Sequence, residues 1–190
     1  MDALNGGSSL VRRAAALGLT FFGPEAYPVV AQALSSSDGD VRFYATGFLE
    51  KMPPSSVSML TGMLRDRNED VRRRAATTLS RLDPRIAAAG ASELIRALQD
   101  ESASVRRGAA HALGKIGDRA VGAFLPLLKV MCEDEDREVR ADAGEALLDL
   151  GLPEEAEMDL AVMGLTKALA HNDEEVRRNV ARIFSAFGPK

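Results

Sequence analysis

The segment Asn68–Asp83, "NEDVRRRAATTLSRLD", places a Val-Arg dipeptide after a short acidic turn and follows it with apolar residues at regular intervals. Val71, Ala75, Leu79 and Leu82 stand at offsets of 0, 4, 8 and 11. At 100° per residue these fall within about 80° of arc, which makes one apolar stripe on a helix. The dipeptide recurs at Val11, Val41, Val71, Val105, Val139 and Val176, in steps of 30, 30, 34, 34 and 37 residues. A period of that size is the mark of a stacked array.

The register holds across the copies. Four residues after each Val stand Ala15, Ala45, Ala75, Ala109, Ala143 and Val180, and eight after stand Leu19, Leu49, Leu79, Leu113, Leu147 and Phe184. Gly23, Gly117, Gly151 and Gly188 follow the stripe in the C-cap place, and Pro24, Pro54, Pro84 and Pro189 stand where a helix must stop or restart. Counting backward finds a second helix, with Val30, Leu60, Leu94, Leu128 and Leu165 eleven before their Val, and Leu34, Leu64, Leu98, Cys132 and Leu169 seven before. Pro28 and Pro126, thirteen before their Val, predict a kink or a late start in that first helix. Neither amphipathic helix can bury its apolar face without a stacked neighbour. The expectation is an all-α, right-handed solenoid of about eleven helices: a half unit at 1–23, then units at 24–53, 54–83, 84–117, 118–151 and 152–190.

Composition agrees with this architecture and narrows the function. With no Trp, two Tyr and seven Phe, the core must come from Ala, Leu, Val, Ile and Met, which suits helices. A net charge of -4 gives no global field for polyanions, so nucleic acid is a poor partner. One cysteine, Cys132, cannot form an internal disulfide, and it fills a slot that is Leu in four other copies. It reads as a buried hydrophobe in a reducing, intracellular setting. No run nears eighteen apolar residues and the first residues lack a secretory pattern, so membrane insertion is not expected.

The pattern "D…VRxxAxxxLxxLG" in helix pairs resembles the HEAT-repeat family. More narrowly, "DEDREVRADAGEALLDLG" and "DESASVRRGAAHALGKIG" look like the short HEAT-like repeats of the phycobilin lyase type. The resemblance implies a solenoid whose second helices line the concave surface. It leaves open an adaptor, a bilin lyase or chaperone, and a weak nucleic-acid module, because a shared fold does not carry a shared function.

The arginines divide by angle. Those directly after each Val, Arg12, Arg42, Arg72, Arg106, Arg140 and Arg177, lie about 65° from the stripe centre, on the flank facing the next unit. Their forks can reach turn carboxylates such as Asp66, Asp100 and Asp134, giving an inter-unit ladder. Arginines two after Val point about 200° round, nearly opposite the core. With that row and the row six after Val, the expected concave floor holds Arg13, Phe43, Arg73, Arg107, His111, Arg178 and Arg182: a basic groove for an acidic protein segment, with Phe43 as a solvent-facing aromatic anchor.

Signals for catalysis are sparse. His111 and His171 have no His or Cys partner at metal-ligand spacing, and no P-loop, dinucleotide fingerprint or nucleophile elbow is present. Some HEAT-like proteins carry His-Glu pairs just after the Val to hold a di-iron centre; the pairs here, Arg73-Arg74 and Arg107-Gly108 among them, differ in residue type. The acidic run Glu133–Glu138 reads as a solvated turn whose charge favours the next helix N-terminus. No thiol is expected at the surface for bilin attachment. The expectation is therefore a non-enzymatic scaffold without cofactor or metal, binding another protein through its concave face. Ile183, Phe184 and Phe187, with no polar capping helix after them, suggest a further neighbour, whether more of the array or another protein.

Overall fold

The computed structural model describes residues 27–51, 54–153 and 155–187. The expected half unit at 1–23, with Arg12 and Arg13, lies outside the described residues, as does Gly188. Among the described residues, ten helices of seven or more residues follow one another as five antiparallel pairs: α1 (Tyr27–Leu34) with α2 (Gly39–Phe48), α3 (Val57–Met63) with α4 (Glu69–Leu79), α5 (Ala91–Ala97) with α6 (Ala103–Ile116), α7 (Phe124–Glu133) with α8 (Arg137–Leu150), and α9 (Met158–Ala168) with α10 (Glu174–Phe187). No strand occurs among the described residues.

Each second helix starts at a polar residue three before its Val. Asp38, Asn68 and Asp136 accept hydrogen bonds from the backbone N–H of Asp40, Asp70 and Glu138, satisfying donors that the first helical turn leaves free. Gly117 and Gly151 end α6 and α8 with φ of 65° and 86°, where a Cβ would be strained. Pro126 falls within the first turn of α7, where no intrahelical acceptor awaits an N–H, and α7 runs on unbroken. Pro28 is the second described residue of α1, and the residues before Tyr27 lie outside the described ones. The first helix of the third pair is less regular than its periodicity suggests: a single turn at Pro84–Ala87 and a 3-10 turn at Ala88–Gly90 precede α5.

The stripe forms one continuous core. Val41, Val71, Val105, Val139 and Val176 are buried, as are Leu49, Leu79, Leu113 and Leu147 beside them. Each Leu of this kind contributes about 2 kcal/mol by leaving water. Second helices pack against one another in succession, α2 on α4, α4 on α6, α6 on α8 and α8 on α10. First helices stand further apart, and clefts open between α3 and α5, between the α5 turn and α7, and between α7 and α9. A stack that is tighter on one side bends toward it, so the second helices form its inner face.

Candidate functional site

The five described arginines directly after Val share one placement. Nη1 donates to the carbonyl six residues back, in the arginine's own turn: Arg42 to Ser36, Arg72 to Asp66, Arg106 to Asp100, Arg140 to Asp134 and Arg177 to His171, at 2.7 to 2.9 Å. Three forks continue into the following turn. Arg42 holds Asp66 through Nε and Nη2 at 2.6 and 2.7 Å, Arg72 holds Asp100 at 2.7 and 2.9 Å, and Arg106 holds Asp134 at 2.7 and 2.8 Å. These aspartates also accept the N–H two residues on, from Asn68, Ser102 and Asp136. One carboxylate thereby ties its own turn shut and clips the preceding pair to it.

The fourth rung differs because His171 occupies the aspartate slot. Its Nδ1 accepts from the Asp173 N–H at 3.0 Å, and Nε2 lies 2.9 Å from the Cys132 carbonyl oxygen, which fixes the tautomer with its proton on Nε2. Arg140 turns instead to Asp173, and both of its donors meet the same oxygen, Oδ2. This rung is also more open, with 17% of each side chain exposed against 6 to 11% in the other three.

Electrostatics follow the geometry. Burial would raise the Asp66 carboxyl, but hydrogen bonds from Arg42 and the Asn68 N–H, with the Arg42 charge, hold it below the ordinary aspartate range. Asp173 is lowered by hydrogen bonds from Arg140 and the Glu175 N–H. Hydrogen bonds to their aspartates raise Arg42, Arg72 and Arg106 despite desolvation.

The inner face carries the second arginine row, and its charge is mixed, not basic. Arg73 donates to Asp70 at 2.8 Å, Arg107 reaches across to Asp142 at 2.8 Å on α8, and Arg178 pairs with Glu174 and Glu175. Arg182 pairs with Glu145 on α8. All four arginine side chains are 44 to 57% exposed, and His111 is exposed beside them. A sequence signal for the carboxylates existed: Asp70 and Glu175, one before their Val, lie three residues from the arginines they meet.

Phe43 corrects the expectation of a solvent-facing anchor. It is half-buried, with the Arg74 guanidinium 5.2 Å from its ring centroid and Tyr44 edge-on at 5.2 Å. The cause is Gly47, one turn along α2, which leaves room for the Arg74 side chain to lie across the helix. Cys132 is corrected as well. It is half-buried and lines the cleft of about 670 Å³ between α7 and α9, and burial pushes its thiol up. It packs against the core, yet it is not sealed from the surface.

Asp134 and Asp136, in the acidic run, serve a rung and a helix cap. Among the described residues no group of three His, Cys, Asp or Glu side chains could hold a metal ion, and no helix is long and apolar enough to cross a membrane.

A repeated helix pair with buried forks between turns is the build of an α-solenoid. The sequence profile described as HEAT repeats matches residues 1–80, 57–148 and 91–181, and the chain belongs to that family. No curated protein matches it in sequence. Among solved structures it is similar to an engineered protein at 22% identity, covering 97% of this chain and 93% of that one with a TM-score of 0.68. A designed armadillo repeat protein in complex with the peptide (KR)4 matches at 20% identity, 98% and 97% coverage and a TM-score of 0.68. The complex of CpcE and CpcF of phycocyanin lyase from Nostoc matches at 21% identity, 73% and 90% coverage and a TM-score of 0.61. At such identities the likeness is one of fold.

Proposed function

We propose that this HEAT-repeat chain is a non-catalytic scaffold that holds a protein segment against the inner face of its second helices. The observation that carries this reading is the row of exposed arginines, Arg73, Arg107, Arg178 and Arg182, whose intrachain carboxylates are exposed (Asp70, Glu174, Glu145) or half-buried (Asp142, Glu175). Exposed pairs contribute under about 1 kcal/mol each, so a partner's carboxylates can replace them at little cost to the fold. Because Asp70, Glu138, Asp142 and Glu145 lie among the arginines, the best partner carries carboxylates at intervals rather than in an unbroken run. His111 supplies a further polar contact. The designed armadillo neighbour is in complex with the basic peptide (KR)4, which supports peptide binding by a helical-repeat fold and leaves the charge preference proposed here to the arginines of this chain.

The test is a peptide array graded in net charge, read with the wild type and with an Arg73→Ala, Arg107→Ala, Arg178→Ala triple variant. The expected result is salt-sensitive retention of acidic peptides that the triple variant loses at least tenfold, with melting unchanged within a few degrees. Equal retention by both proteins would contradict the inner-face reading.

A second reading rests on the α7–α9 cleft, where Leu125 and Leu128 supply an apolar wall and Lys129, Lys167 and Cys132 stand at the rim. Together with the fold of the phycocyanin lyase complex, it supports a bilin-handling role. Incubation with free bilin should then shift its visible absorbance, and an unchanged spectrum would dismiss this reading.

A further inference from the structure

Arg73, Arg107, Arg178 and Arg182 all have carboxylate partners within the chain, but the half-buried Arg74 of α4 forms no hydrogen bond or ion pair among the described residues. Its Nε is buried without an acceptor. A buried donor left unmet is costly and uncommon, so its retention calls for a reason. Asp70, one turn back on the same helix, could serve Arg74 by its spacing, yet it accepts from Arg73 at 2.8 Å instead. The residue three after Val faces the preceding second helix. Asp142 of α8 there accepts from Arg107 of α6, and Asn179 of α10 lies over Gly144 of α8. Between α2 and α4 the same register brings Arg74 to Phe43, so a cation meets a ring where the α6–α8 junction pairs a cation with a carboxylate.

The guanidinium stands 5.2 Å from the Phe43 ring centroid and lies so close over Gly47 that a Cβ there would collide with Cζ, Nε and Nη2. Phe43 and Gly47 stand two and six after Val41, in the rows that line the inner face. An aromatic seat and a missing side chain therefore hold the head in place before any partner arrives, which lowers the ordering cost of binding. Resting on the inner-face reading above, we propose that Arg74 is the principal anchor of that face, taking a glutamate or aspartate side chain of the bound segment through Nη1 and Nη2. The other four arginines must each release an intrachain carboxylate to bind one from a partner. Arg74 releases none. Its planar fork fits a carboxylate with two parallel hydrogen bonds, which a lysine ammonium cannot match.

The probe is a short peptide, acetylated and amidated at its ends, with a glutamate at every fourth position among Gly and Ser; its glutamine counterpart is the control. Arg74→Ala should weaken capture of the glutamate peptide at least tenfold, as loss of a charge-assisted fork implies. Arg74→Lys, which keeps the charge and loses the fork, should weaken it at least threefold. Gly47→Ala leaves every charge in place but displaces the head, so it too should weaken capture at least threefold, with melting within a few degrees of wild type. Arg73→Ala alone should cost less than threefold. Capture by Arg74→Ala and Gly47→Ala equal to that of the wild type, while the Arg73, Arg107 and Arg178 triple variant loses it, would overturn the anchor and leave the inner-face reading standing. Arg74→Lys binding as tightly as the wild type would also overturn it, since charge alone would then suffice. Equal capture of the glutamate and glutamine peptides by the wild type would overturn both.

Discussion

At the residue scale, two adjacent arginines do different work because one helical step of 100° separates them. Arg106 is sealed between turns with Asp134, and Arg107 lies across the surface toward Asp142. Val-Arg recurrence made the first row legible, as did the carboxylates five before each Val, Asp66, Asp100 and Asp134. Arg140's partner was hidden, because His171 fills the expected slot and Asp173 combines capping with the rung. Protonation exposes the forks to a direct test. The folded-state pKa of Asp66 is lowered, so the stability it confers is complete above the unfolded value of about 3.9 and is lost as pH falls through the lower folded value. Urea unfolding followed from pH 6 to pH 2.5 should show wild type losing stability below about pH 4, with an Asp66→Asn variant weaker at pH 6 and flatter over that window. Parallel pH profiles would contradict the assignment.

At the element scale, helix starts and ends were legible from N-cap residues and glycines, whereas the broken entry to α5 was not, since Ala and Gly at Ala87–Gly90 carry no strong stop signal. Spacing between second helices depends on small residues. A Cβ at Gly144 would collide with the buried Asn179 side chain of α10, so Gly144→Ala should cost about 2 kcal/mol, measured by urea unfolding, despite its better helix propensity. A neutral or stabilising result would show that α8 and α10 can separate without loss. The fourth rung should be improvable: His171→Asp restores the slot of the other turns and should stabilise the chain by about 1 kcal/mol, although the contact with the Cys132 carbonyl is lost. A fall in the unfolding midpoint would mean that the histidine's two hydrogen bonds outweigh a bidentate fork.

At the scale of the whole molecule, six-fold recurrence made the all-α solenoid readable, because every copy repeats the same apolar stripe. The inner face was readable only in part. Angle placed Arg73, Arg107, Arg178 and Arg182 on it, but pairing across units, as in Arg107 with Asp142 and Arg182 with Glu145, depends on how neighbouring helices are set against each other. Phe43 was misread for the same reason, since its cover, Arg74, comes from the next unit. The central claim is that the stack is held by the buried row and leaves the exposed row free to exchange partners. Equilibrium urea unfolding of Arg72→Ala beside Arg73→Ala tests it most directly, because these neighbours in the segment "NEDVRRRAATTLSRLD" sit on opposite sides of that division. Arg72→Ala leaves the largely covered Asp100 carboxylate with only the Ser102 N–H and should cost about 3 kcal/mol, while Arg73→Ala should stay within about 0.5 kcal/mol of wild type. Equal losses from the two substitutions would contradict the claim.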